Sequence, residues 1–221
     1  MPAASPMPTA SDVPPPSHAA LAQRLEGLNL YLIGMMGAGK SAVGRPLAEA
    51  LGYRFVDADL TIEQAAGLSI PEIFAADGEA GFRDLETAVL DRIAGWHSLV
   101  VATGGGVVTR PENWGRLQQG VVVWLDAPQT LLLRRLSSDP TPRPLLDDPD
   151  PIARLTALLE QRRPLYAQAD LTVRQEDQDA PARVALRVLE ALPTILRPRQ
   201  APPVDAVVLH TEDGGITRSL N

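Results

Sequence analysis

From Asn29 to about Pro193 the chain alternates between short runs of branched apolar residues and longer stretches with apolar residues at helical spacing. "NLYLI" reads as a strand ending at a glycine turn, and "SAVGRPLAEALG" follows with helical spacing and a glycine stop. "RFVDAD" reads as a second short strand ending in two acids. "SIPEIFAADGEAGFRDLETAVLDRIAG" reads as two helices with a break near Asp77-Gly78. "SLVVATGGG" is a buried strand running into three glycines, "PENWGRLQQG" is helical, and "VVVWLDAP" is a strongly β-branched strand. "QTLLLRRLSS" is a helix, "DPTPRPLLDDPDP" a loop, and "IARLTALLEQRRPLY" a helix predicted to end at Pro164. "DLTVR" and "APARVALRVLEAL" supply a last strand and a last helix. Strands that alternate with helices predict an α/β fold of three layers, α/β/α, around a five-stranded parallel sheet.

The ends break this rhythm. Prolines crowd the first sixteen residues, mixed with Ala, Ser and Thr, a composition that cannot build a packed core. Residues 1–28 are therefore expected to be a disordered N-terminal extension, 29–193 the folded domain, and 194–221 a C-terminal tail. Within that tail "VDAVVLH" has the composition of a short edge strand. The N-terminus has no basic segment followed by an apolar one, so it is not a secretory signal, and it is poor in bases for a transit peptide. A cytoplasmic location is expected. Net charge is −7, which argues against sequence-independent nucleic-acid binding, and no apolar run reaches the length that spans a bilayer. There is no cysteine, which removes thiolate chemistry and disulfides, and the three histidines show no ligand spacing.

Of the 20 basic residues, Lys40 is the sole lysine. It sits in "GMMGAGKS", Gly34 to Ser41, which fits the phosphate-binding pattern G-x-x-x-x-G-K-[ST] in full. The spacing has a physical cause. Glycines let successive backbone N–H groups turn inward toward a polyphosphate, and the helix opening near Lys40 adds its positive end. The ammonium is a compact charge able to reach the β- and γ-phosphates where the planar fork of an arginine would not thread. Ser41 is placed to ligate Mg²⁺. The loop is thus expected to bind the phosphates of a nucleotide together with Mg²⁺.

Three further features concern the acceptor. Asp57 and Asp59 fall at the carboxyl end of the second predicted strand, where open α/β sheets bind ligands. If the chain stays extended, their spacing points both acids the same way, one toward metal through water and one toward a substrate hydroxyl. The competing reading makes Asp59 a helix cap. Gly104, Gly105 and Gly106 end the next strand; they expose backbone N–H groups to a small polar ligand, or else form a mobile connector. Arg83, Arg143 and Arg162 are solvated surface residues taken singly, but with the loop they suggest a small anionic acceptor and a lid.

"GMMGAGKS", "FVDADLTIE", "IFAADGEAGFRDLE", "ATGGGVV", "RPLL" and "RRPLY" resemble, in order and at similar separations, the motifs of shikimate kinases, over about Leu30 to Leu192. The resemblance implies a P-loop kinase related to nucleoside monophosphate kinases. Its substrate-binding segment would lie around 60–92 and a mobile lid around 137–150. It implies transfer of the ATP γ-phosphoryl group to the 3-hydroxyl of shikimate, a step of chorismate and aromatic amino-acid biosynthesis, by a monomer using neither nucleic acid nor membrane. Carried over by position, Gly37, Ala38, Gly39, Lys40, Ser41 and Ala42 would bind the ATP phosphates, with Ser41 on Mg²⁺ and Asp57 acting on it through water. Asp59 would orient or deprotonate the attacking hydroxyl. Arg83 and Arg162, chosen over Arg163, would grip the carboxylate beside Gly104, Gly105 and Gly106. Arg143 would close over the phosphates, and Arg135 would pack on adenine, although the segment up to Arg143 looks one residue longer than in the family. Ala42 stands where the family usually has Thr, which removes one hydrogen bond to the α-phosphate. Two rivals are a related kinase acting on gluconate or a nucleoside monophosphate, and a nucleotide-binding homologue that has lost catalysis.

Overall fold

The computed structural model describes residues 17–139 and 143–196. Strands β1 Leu30–Ile33, β2 Arg54–Asp57, β3 Leu99–Ala102, β4 Val121–Asp126 and β5 Leu171–Arg174 form one sheet in the order β2-β3-β1-β4-β5. Every pairing is parallel. The helices are α1 His18–Leu25, α2 Lys40–Leu51, α3 Ala58–Ala66, α4 Ile70–Ala94, α5 Pro111–Leu117, α6 Gln129–Ser138, α7 Pro151–Tyr166 and α8 Pro181–Ala191.

The three central strands are apolar up to Asp126 at the end of β4 because both faces of the sheet are covered. Their two-residue alternation divides the core. Leu30 and Leu32 of β1 and Val121, Val123 and Leu125 of β4 turn toward α1, α2, α6 and α8. Tyr31 and Ile33, with Val122 and Trp124, turn to the other side, against α3, α4, α5 and Tyr166. Because all the strands are parallel, the loops after β1, β2 and β3 open on one rim. An open parallel sheet binds its ligand at such a rim.

Several sequence expectations change. Residues 17–28 are not a disordered extension: α1 is capped by Ser17 and buries Leu21 and Leu25 completely in the core. Each fully buried leucine contributes about 1.5–3 kcal/mol, which explains why a short helix after a proline-rich segment holds its place. Arg24 donates to the Leu196 carbonyl at 3.1 Å, tying the two ends together. The domain also continues past 193, since a 3₁₀ turn covers Leu192–Thr194, with Leu192 buried and Leu196 packed on the core. The expected edge strand "VDAVVLH" lies outside the described residues.

"RFVDAD" is not extended to its end: the strand stops at Asp57 and α3 begins at Ala58. Helix α7 runs through Pro164 to Tyr166. The proline leaves the Glu160 carbonyl without its helical donor, but that residue is exposed and water can serve it. The break in α4 is where the glycine suggested, at Gly78, with φ 70° and ψ −172°.

Candidate active site

The loop between β1 and α2 is built for close backbone approach. Gly39 caps α2 at φ 80°, a left-handed conformation that favours glycine. Lys40 curls back over the loop and donates to the carbonyls of Gly34 at 2.9 Å and Met35 at 3.1 Å. Burial pulls its amine down to about 8, despite the carboxylates of Asp59 and Asp57 nearby. From below, Gln175 donates to the Ala38 carbonyl at 2.8 Å, and Arg135 bridges the Gly37 carbonyl at 3.2 Å and Gln175 Oε1 at 3.1 Å. Gly39, Ala42 and Arg135 also face a cavity of about 410 Å³ shared with residues 177–181.

Asp57 does two jobs at once. Its Oδ1 accepts from the N–H groups of Asp59 at 3.1 Å and Leu60 at 3.4 Å, so Asp57, and not Asp59, caps the helix. Its Oδ2 accepts from the Ser41 hydroxyl at 2.5 Å. These two hard oxygens, Ser41 in the first turn of α2 and Asp57 at the end of β2, would suit Mg²⁺, the hydroxyl directly and the carboxylate through water. No group of three or more His, Cys or acidic residues able to cage a metal is found among the described residues.

Asp59, the second residue of α3, reaches a cavity of about 630 Å³. Ser41, Asp57, Asp59, Arg83, Gly104, Gly105, Gly106, Arg143 and Arg162 all line it. Burial raises the Asp59 carboxyl above its usual range, with Asp57 and Glu63 adding to the rise and Lys40 and Arg83 opposing it. Arg83 is buried and held at 2.7 Å by Glu86 and at 3.1 Å by Glu79. Burial also raises the Glu86 carboxyl, against the pull of Arg83. Arg162 lies on the inner face of α7, 2% exposed. Its neighbour Arg163 lies outside, against Asp126 and the Trp124 ring. Arg143 pairs with Asp139 at 2.5 Å across the expected lid, of which residues 140–142 lie outside the described ones.

What distinguishes this cavity is its unpartnered polar atoms. Asp59 Oδ1 and Glu86 Oε1 are buried acceptors without donors. Arg143 Nε, Arg162 Nε and Arg162 Nη1 are buried donors without acceptors. The N–H groups of Gly104, Gly105 and Gly106 find no acceptor among the described residues. Buried polar atoms are nearly always paired, so such a concentration marks a place where a ligand supplies the partners.

Sequence reasoning gave no role to Glu86, Gln175 or Tyr166. Glu86 sits three residues after Arg83, the spacing at which helical side chains meet, so it was open to discovery. Gln175 immediately follows β5 at the ligand rim, a weaker signal. Tyr166 reaches the Gly105 carbonyl across 61 positions of chain, and no local pattern announces that.

Residues 36–193 match the family model described as shikimate kinase. The chain is 63% identical over 178 residues to a shikimate kinase of Parasynechococcus marenigrum (strain WH8102), covering 80% of this chain and 93% of that one. It is 59% identical over 186 residues to one from Synechococcus sp. (strain RCC307), covering 84% and 95%. Among solved structures, shikimate kinase from Acinetobacter baumannii in complex with shikimate superposes with a TM-score of 0.74 at 42% identity, over 79% of this chain and 97% of that one. A gluconokinase from Sinorhizobium meliloti 1021 shares the fold, at TM-score 0.51 and 18% identity over 78% of this chain and 95% of that one. With the phosphate loop, the glycine rim and the arginine-lined cavity in place, the chain belongs to the shikimate kinase family.

Proposed function

We propose that this enzyme transfers the γ-phosphoryl group of ATP to the 3-hydroxyl of shikimate, giving shikimate 3-phosphate and ADP. The observation that carries the assignment is the set of unpartnered buried atoms in the cavity. Two carboxylate oxygens ask for hydroxyl donors, while the Arg162 nitrogens ask for an anion. A small acid bearing several hydroxyls meets both demands.

Each residue then has a task. Lys40 leaves the loop carbonyls and binds the β- and γ-phosphates, which the N-terminus of α2 also favours. Ser41 would ligate Mg²⁺ directly and Asp57 through water, and the ion would supply positive charge to offset that of the polyphosphate. Gly37, Ala38, Gly39 and Ala42 surround the phosphate chain, and Arg135 packs on the adenine. Arg83 and Arg162 hold the substrate carboxylate, with Gly104, Gly105 and Gly106 lining its seat. Arg143 swings from Asp139 onto the phosphates as the lid shuts, which also excludes water.

Chemistry is then mostly positioning. The hydroxyl oxygen bonds to the γ-phosphorus as the bond to the β–γ bridging oxygen breaks. Asp59 holds that hydroxyl and can take its proton, a task that its raised pKa favours. The reading extends to a cytoplasmic monomer acting without nucleic acid or membrane. The net charge of −7 supports the absence of nucleic acid, and no described helix is long and apolar enough to cross a bilayer.

The test is a coupled assay of ADP release with shikimate, gluconate and AMP as acceptors. Shikimate should stimulate release well above the water background and the other two should not; no stimulation by shikimate would overturn the assignment. Arg83→Ala should lose shikimate affinity and keep ATP affinity.

A further inference from the structure

We infer that Tyr166 is a positioning residue for the acceptor site: by holding the Gly105 carbonyl it aims the Gly106 N–H at the bound substrate. This rests on the proposed acceptor, shikimate. Tyr166 is fully buried at the end of α7 and does not line the cavity, whereas Gly104 to Gly106 do. The glycine segment therefore lies between the phenol and the ligand space. The Tyr166 hydroxyl donates to the Gly105 carbonyl at 2.6 Å, with the Met35 sulfur at 3.7 Å and the Arg162 guanidinium, a donor to the phenol oxygen, as its other neighbours.

No peptide bond in the described chain is cis. In a trans peptide the carbonyl and the next N–H point in opposite directions. A Gly105 carbonyl fixed toward Tyr166 thus fixes the Gly106 N–H on the far side, toward the cavity. Gly106 is buried, and its N–H finds no acceptor among the described residues. Left to itself, a glycine-rich turn would rotate this peptide and satisfy the donor elsewhere, because three successive glycines offer little steric resistance. The tyrosine hydrogen bond opposes that rotation. Trp124, stacked on the Tyr166 ring at 5.8 Å, keeps the phenol in place. Burial pushes the phenol up to about 12, so it stays a donor throughout the working range, even beside the Arg162 charge.

The same helix face carries Arg162 one turn earlier, at i, i+4 from Tyr166. One rigid element thereby sets two groups around the acceptor: a guanidinium directly, and a backbone N–H through the Gly105 peptide. "RRPLY" is then more than an arginine followed by a helix stop. Its tyrosine holds the opposite wall in register with the arginine.

The experiment compares wild type with Tyr166→Phe, which keeps the ring and its packing and removes the donor. KM for shikimate should rise about tenfold, the size of one lost hydrogen bond, while KM for ATP stays within about twofold. A merely structural role would lower Tm and leave both KM values of the folded enzyme unchanged, and that result would overturn the proposal. Parallel increases in both KM values would overturn it too. If the variant does not fold, amide exchange in the wild type decides: shikimate alone should slow exchange at Gly106 at least about tenfold, and unchanged exchange at saturation refutes the inference. A wild type that does not phosphorylate shikimate would sink the acceptor assignment instead, so the two failures are distinguishable.

Discussion

Replacing Gly106 with alanine tests the substrate end of the site through a single methyl group. The backbone there has φ −101° and ψ 0°, which alanine adopts without strain, so any effect comes from the side chain. A Cβ at this position falls 2.2 Å from Arg83 Nη2 and 2.4 Å from both Cζ and Nη1. Ordinary contact begins near 3.4 Å, so the guanidinium must retreat by more than 1 Å. Retreat is costly because Arg83 is anchored by Glu86 at 2.7 Å and packs over the Phe82 ring. A charge-assisted hydrogen bond is worth about 1.5–3 kcal/mol, and a displacement of about 1 Å in a positioning group can cost about a hundredfold. KM for shikimate should therefore rise between about ten- and a hundredfold, with KM for ATP nearly unchanged. Steady-state kinetics with each substrate varied in turn, together with a thermal melt, separates this from unfolding. A folded Gly106→Ala enzyme with wild-type affinity for shikimate would refute the placement of Arg83 on the acceptor.

The amine of Lys40 titrates from about 8 in the free enzyme, and polyphosphate binding must raise it. ATP affinity should accordingly be full below pH 8 and fall as pH rises past it, by up to about tenfold per unit. Calorimetry in buffers of different ionisation enthalpy should detect proton uptake on binding near pH 8.5; flat affinity from pH 7.5 to 9.5 would count against the direct contact. Asp57→Asn keeps an oxygen for the α3 cap but loses its charge, so it should raise the Mg²⁺ concentration for half-maximal rate about 10- to 100-fold with little change in Tm. Asp57→Ala should lose the cap as well, a further cost of about 0.5–2 kcal/mol in denaturant unfolding. Leu21→Ala should destabilise the domain by about 2–5 kcal/mol, since the residue is fully buried. A chain starting at Asn29 should melt lower still, and equal Tm values would show that α1 is dispensable.

The alternation of apolar runs made the parallel sheet legible, because strands buried on both faces carry an uninterrupted apolar signal. The phosphate loop was legible for a different reason, since its chemistry is local and its residues are contiguous. Position 57 was harder. An acid at the end of a strand can cap, ligate or catalyse, and only the early start of α3 assigns the cap to Asp57 and releases Asp59 toward the cavity. Helix α1 was missed because two leucines four apart, next to a proline-rich stretch, give too short an apolar stripe to stand out. The Tyr166 contact with Gly105 depends on how α7 lies against the loop after β3, which local sequence does not encode.

The lone lysine has a practical consequence. Among these 221 residues the ε-amine of Lys40 has no competitor, and burial, which lowers it to about 8, leaves more of it uncharged near neutral pH than in a free lysine. An amine-directed reagent that spares the N-terminus therefore addresses one atom of the protein, in the proposed phosphate loop, once the amine leaves the Gly34 and Met35 carbonyls. Reductive methylation with an isotopically labelled aldehyde would give a single side-chain resonance. That resonance would report directly on whether the phosphate cradle is filled.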